Sequence, residues 1–178
     1  QRDAILTDEN LSERIMTTAK DTVAELLEEY KNSSKKSEDT AYSSLQESLK
    51  NNFAVQLSGK EDRKDLFTPI MNLLEADLQN KQTLAGKENL NMFIRYQYVQ
   101  AIDRKWLDHL EQLEGLREAV YLRSYGSKNP LTEYKIDGFN IFYDMLDAIR
   151  IEIASRVFRV KIQTDSDPAS RQGRPVQM

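Results

Sequence analysis

Apolar residues recur at three- and four-residue steps through most of the chain, the spacing of one buried face of an α-helix. From Asn10 the positions Leu11, Ile15, Ala19, Val23, Leu26 and Tyr30 mark a helix of about five turns, with Asn10 and Glu13 spaced as a capping box. The polar run KNSSKKSEDT, residues 31–40, has nothing to bury and reads as a loop. Between 41 and 85 the patterns are shorter. YSSLQESLKNNF predicts one helix, and Leu66, Ile70, Leu73, Leu74 and Leu78 a second, with Pro69 accommodated in its first turn. The intervening FAVQLSG reads as a short extended piece or a loop, and the whole segment as a small helical subdomain.

Two longer stripes follow. Val99, Ile102, Trp106, Leu110, Leu113, Leu116 and Val120 form one, and Phe139, Phe142, Leu146, Ile149, Ile153, Val157 and Val160 the other. Stripes of similar length joined by the short turn LRSYGSKNP predict an antiparallel helical hairpin. At about 25 residues, or on the order of 40 Å, each arm is long enough to project. Its core is expected to comprise Trp106, Leu110, Leu113, Phe139, Phe142, Leu146 and Ile149. From Thr164 the tail TDSDPASRQGRPVQM has no periodicity and reads as a disordered linker.

Composition agrees with an all-α fold: 39% of residues are hydrophobic and 30% charged, with only 6 Gly and 4 Pro to punctuate strands and turns. A formal charge of -4 argues against a dedicated nucleic-acid binder, which needs a surplus of Lys and Arg on one face. The absence of cysteine excludes disulfides and thiolate zinc sites, and one histidine cannot make a His-rich metal cluster. No run approaches the roughly eighteen apolar residues that cross a bilayer, and QRDAILTDEN lacks the apolar core of a signal peptide. Beginning at Gln, the chain reads as a piece of something longer.

The best enzymatic candidate is DHLEQLE, where Asp108, His109, Glu111 and Glu114 lie close together. The spacing is wrong for a zincin, which places two histidines four apart, so His109 is expected to be a solvated or salt-bridged surface residue. No phosphate-binding loop, dinucleotide fingerprint or nucleophile elbow occurs, and the segment is expected to be neither an enzyme nor a cofactor binder by itself. Trp106 lies on the first stripe and is expected to be its largest core residue, with Asp103 and Arg104 available for ion pairs to a neighbouring helix.

The turn is different. Leu122 and Tyr125 fall off both stripes at the hairpin's free end, where Arg123 and Lys128 add positive charge. Gly126 suits a positive φ, and Pro130 ends the turn ahead of Tyr134 and Phe139. The residues alone leave Tyr125 balanced between folding back onto the loop and contacting a partner through its flat face and hydroxyl.

The run WLDHLEQLEGLREAVYLRSYGSKNPLTEYKIDGFNIFYDML resembles the C-terminal region of SecA, the motor ATPase family of bacterial preprotein translocation. The family pattern is W-x-x-H-L, a helix, L-R-G-Y-x-x-x-[DN]-P-x-x-E-Y-K, then a Phe-rich helix. The match is specific from Asn91 to about Val160. The resemblance implies that residues 1–10 end a long scaffold helix, 11–86 form a helical wing and 87–163 the two-helix finger with scaffold, leaving 164–178 as linker. It further implies that the fingertip enters the cytoplasmic mouth of the SecYEG channel and touches the unfolded preprotein. Tyr125 would be the contact, with Leu122, Arg123, Ser124 and Lys128 beside it.

Ser124 stands where the family usually has Gly, which is expected to stiffen the tip, and Asn129 where Asp is common. The implied parent is an ATPase with ATP and Mg²⁺ in upstream domains and zinc in a downstream tail. The finger is implied to pack on those other domains and to restrain ATP hydrolysis. The parent would be cytoplasmic, peripherally associated with the inner membrane and indirectly with its anionic surface. A different reading, a generic helical adaptor whose hairpin binds partner helices, explains the stripes equally well. It does not explain the gathering of aromatic and basic residues at the tip.

Overall fold

The computed structural model describes residues 10–35, 37–123 and 129–162, with Leu122 and Arg123 described by their backbone alone. Helices α1 (Leu11–Ser34), α2 (Glu38–Phe53), α3 (Phe67–Ala85), α4 (Lys87–Arg123) and α5 (Pro130–Arg159) account for nearly all of them, and no strand occurs among the described residues. The fold is all-α.

Helix α1 buries Leu11, Ile15, Ala19, Val23, Leu27 and Tyr30 on one face. Leu27, not Leu26, completes that stripe, and Leu26 is half-buried beside it. The side chain of Asn10 makes no cap hydrogen bond; its carbonyl accepts from the N–H groups of Glu13 and Arg14. The loop expected over 31–40 is overturned, because α1 runs to Ser34 and α2 starts at Glu38. The polar run lacks apolar residues, but it holds no Gly or Pro, and a helix end needs no buried face when its side chains are solvated, so among the described residues of the run only those between Ser34 and Glu38 leave the helices. The Ser34 hydroxyl also donates back to the Lys31 carbonyl.

Helix α2 turns Ala41, Tyr42, Leu45, Leu49 and Phe53 inward and ends at Ala54, whose φ of 56° is left-handed. The segment after it is a loop with no strand, pinned by the burial of Leu57 and Leu66. Its polar groups form a small network. The Ser58 N–H and hydroxyl donate to Glu61 Oε1 at 2.8 and 2.7 Å, and the Tyr42 hydroxyl donates to Glu61 Oε2 at 3.4 Å. Arg63 lies 4.9 Å over the Tyr42 ring and reaches Asp39 at 3.0 Å and Glu38 at 3.2 Å. Burial, and then the Glu61 charge, push the Tyr42 hydroxyl pKa up.

Helix α3 accepts Pro69 in its first turn and buries Ile70, Leu74 and Leu78, whereas Leu73 faces outward. Gly86 alone separates it from α4. At φ 83° and ψ 147°, a conformation that only glycine adopts freely, it donates to the Gln82 carbonyl to close α3 and accepts from Leu90 N–H to open α4.

The arms of the hairpin exceed expectation: α4 has 37 residues and α5 has 30, about 55 and 45 Å. The first stripe starts earlier than Val99, at Leu90 and Ile94, both fully buried. At the hairpin's base the arms enter the same core as α1 to α3. That core takes Leu90, Ile94, Tyr98 and Ala101 from α4 and Met145, Ile149, Ile153, Ala154, Val157 and Phe158 from α5. Phe158 meets Phe53 of α2 edge-on at 5.5 Å.

Two measurements check this arrangement. Ile153→Ala, at a site with no exposed surface, is expected to cost about 2–5 kcal/mol in urea unfolding. Leu107→Ala, at a residue 65% exposed, should stay within about 0.5 kcal/mol. The second concerns pH. The Ser58 hydroxyl, and after it backbone N–H donors, hold the Glu61 carboxyl down from 4.5 to about 2. A depressed carboxyl stabilises the loop above pH 4.5 and loses that contribution as pH falls toward 2. A carboxyl NMR titration should place the Glu61 midpoint near 2, and Ser58→Ala should return it toward the ordinary range.

Candidate contact surface on the helical hairpin

Beyond the shared core, α4 and α5 continue against each other among the described residues. The second arm opens at Asn129, whose side chain accepts from Leu131 N–H at 3.0 Å, with Pro130 as the first helical residue. Asn and Asp both supply this capping oxygen, so Asn129 keeps the chemistry of the Asp common in the resembling family. Of the expected contact residues, Leu122 and Arg123 close α4 and their side chains are not described. Ser124, Tyr125 and Lys128, and also Gly126, lie outside the described residues.

The seam between the arms differs from the stripes read in the sequence. Ile149 is buried, and Leu113, Phe142 and Leu146 are half-buried. Trp106, Leu110 and Phe139 are not core: they are 45%, 48% and 63% exposed. The inward position is taken by His109, 4% exposed, so the expectation of a surface histidine is also overturned. Its ring lies 5.4 Å from Trp106 and 5.8 Å from Phe142, and its Nδ1 is buried without a hydrogen-bond partner.

The reason is geometric. One helix can direct only a narrow arc toward one neighbour, and on α4 that arc passes through Tyr98, Ala101, His109, Leu116 and Val120. Trp106 and Leu110 stand at the edge of that arc. On α5, Phe139 is displaced in the same way. Gly138 faces the seam instead, and a Cβ there would lie 3.7 Å from Leu113 and 3.9 Å from Leu116, an ordinary contact distance.

Polar groups cross the arms lower down. Arg104 of α4 pairs with Glu152 of α5, the interhelical ion pair that the sequence allowed. Arg156 also reaches Glu152, at 2.7 Å, and donates to Gln97 at 2.8 Å.

The outcome is a second apolar face that the hairpin does not cover. Met92, Tyr96, Trp106, Leu107, Leu110 and Tyr121 expose it on α4, and Leu131, Ile136, Phe139 and Tyr143 on α5. Phe139 and Tyr143 stack at 6.5 Å. An amphipathic helix with apolar residues on two faces signals this in sequence, but choosing one stripe per helix conceals it.

The carboxylates of DHLEQLE do not converge on the histidine, since His109 points inward while Asp108, Glu111 and Glu114 are exposed. Among the described residues no group of three His, Cys, Asp or Glu could hold a metal ion, and no helix is long and apolar enough to cross a membrane. An open cleft of about 1030 Å³ lies between α1 and the hairpin, with a floor of Tyr98, Ile102, Leu146 and Ile149. Asp21, Glu25 and Arg150 line it as well.

Comparison with known proteins places this arrangement. The model of the SecA Wing and Scaffold domain matches residues 1–161. The protein translocase subunit SecA of Treponema denticola is 54% identical over 185 residues, covering 99% of this chain and 20% of its own length. The subunit of Treponema pallidum is 44% identical and covers 96% of the chain. That of Borreliella burgdorferi is 36% identical and covers 93%. The chain spans about a fifth of the length of these relatives. Matched over residues 1–161, with five helices and a long hairpin among its described residues, it belongs to the SecA family, in the wing and scaffold region of the protein translocase subunit.

Proposed function

We propose that this chain is the wing and two-helix finger of a bacterial protein-export motor, and that the turn between α4 and α5 meets an unfolded preprotein at the SecYEG channel. The observation that carries this reading is the hairpin's reach. From Ala101, its last buried residue in the shared core, α4 runs on to Arg123, roughly 33 Å of helix whose buried positions Leu116 and Val120 lie on the α5 side among the described residues. Such an arm suits delivery of a small contact group into a narrow space. In this reading Tyr125 provides an aromatic face with a hydroxyl, suited to varied sequences. Leu122 and Ser124 flank it, and Arg123 and Lys128 supply charge.

The hairpin couples this contact to ATPase domains elsewhere in the parent, where ATP and Mg²⁺ belong, and restrains their hydrolysis. A downstream tail would carry zinc. The parent works at the cytoplasmic side of the inner membrane, in peripheral contact with its anionic surface. On this view residues 11–86 are the wing, 87–163 the finger and scaffold, 1–10 the end of a preceding scaffold helix and 164–178 a linker. The uncovered face of the hairpin is then where other domains of the parent pack.

A second reading draws on that same face. Exposed Trp106, Leu107, Leu110, Phe139 and Tyr143 suit an adaptor whose flanks bind partner helices, with no channel involved. Photo-crosslinking in the full-length subunit separates the two. A probe at position 125 is expected to label both SecY and a stalled preprotein; adducts confined to a probe at position 107 would favour the adaptor. Tyr125→Ala is expected to lower preprotein translocation about tenfold, as truncation of a contact hot spot does. Basal ATPase should be largely spared, and equal loss of both activities would overturn the tip contact.

A further inference from the structure

We infer that Lys81 is a clasp that sets the axial register of the hairpin's second arm, and through it the position of the turn that α4 and α5 share. The last four carbonyls of a helix have no donor within it. In α5 two of these, Val157 and Phe158, accept from the Lys81 ammonium of α3 at 3.0 and 2.6 Å. The third proton goes to Asp77 Oδ2 at 2.6 Å, so every donor of the ammonium is used. The residue is only 5% exposed, and its charge sits at the negative end of the α5 dipole, 5.7 Å over the Phe158 ring.

This contact differs in kind from the rest of the hairpin's base. Apolar burial is non-directional, whereas an ammonium held by two named carbonyls specifies one register. Displacing α5 by one residue, about 1.5 Å along its axis, would remove those acceptors and leave a buried charge without its full partners. The Arg104, Glu152, Arg156 and Gln97 contacts across the arms use long side chains that can follow such a shift.

The position of Lys81 gives the clasp its effect. It stands five residues before Gly86, the single-residue joint from which α4 departs. The first arm is therefore placed covalently by Gly86 and the second by Lys81, and both references lie at one point of the wing. Closing the path from α3 through Gly86, α4, the turn and α5 back to Lys81 fixes how far the arms extend past each other. Lys81 is thus a positioning residue for whatever the turn contacts. The inference concerns geometry and stands apart from the preprotein reading.

The test uses the full-length subunit carrying Lys81→Met, which keeps the apolar stem and removes the ammonium. Amide exchange at residues 157–160 is expected to rise roughly tenfold or more, the scale of losing one charge-assisted hydrogen bond, while α1 and α2 keep their protection. Spin labels at Gln112 and Asn140 should report a shifted or broadened distance, and Lys81→Arg should recover part of the original distribution. An unaltered distance together with unaltered exchange would overturn the clasp. So would a shift accompanied by equal loss of protection in α1 and α2, since that is general loosening. Should Lys81→Met not fold, Asp77→Ala carries the same test through the ammonium's half-buried anchor: a smaller change confined to the same amides supports the clasp, and none overturns it. None of these readouts depends on translocation.

Discussion

The burial of the last turns of α5 is the constraint on which the other elements depend. Two helices of 37 and 30 residues cannot bury much of themselves in a single seam, and a bare hairpin of that length would be a marginal structure in water. The chain resolves this by making the end of α5 a shared interior element. Ile153, Ala154, Val157 and Phe158 lie within one continuous core with residues of α1, α2 and α3. Stability is concentrated at that end, and the free end is carried by it.

The contacts between the arms therefore change along the hairpin in a readable order. At the base, apolar packing is joined by the directional bonds of Lys81 and the constrained backbone of Gly86. Halfway up, the arms are held by ion pairs around Glu152. Further out the seam thins to His109 between aromatic rings, Gly138 against Leu113 and Leu116, and the buried Val120.

Legibility in the sequence was uneven for physical reasons. Helix α1 announces itself because a face buried throughout its length must repeat at helical steps, and Leu11, Ile15, Ala19 and Val23 do so without interruption. The polar segment 31–40 was misleading because polarity reports absence of burial, not absence of helix. The inward face of α4 was misread for the opposite reason. Its outer face is also apolar, so Trp106 and Leu110 looked like core, while the buried position went to a histidine that composition alone assigns to the surface. Lys81 left no signal at all, since a lysine on a helix is ordinarily solvated and only the arrival of α5, distant in sequence, makes it interior.

The amino-acid sequence by itself determined the all-α class and the existence of the hairpin, though not the full length of its arms. These follow from local periodicity and backbone chemistry, which a linear string carries in full. Tertiary structure alone decided which of two apolar faces each arm turns inward, that the hairpin's base and the first three helices share one core, and that a lysine closes the end of α5. Those choices depend on which distant segment arrives to take up a given face, and no window of neighbouring residues contains that information.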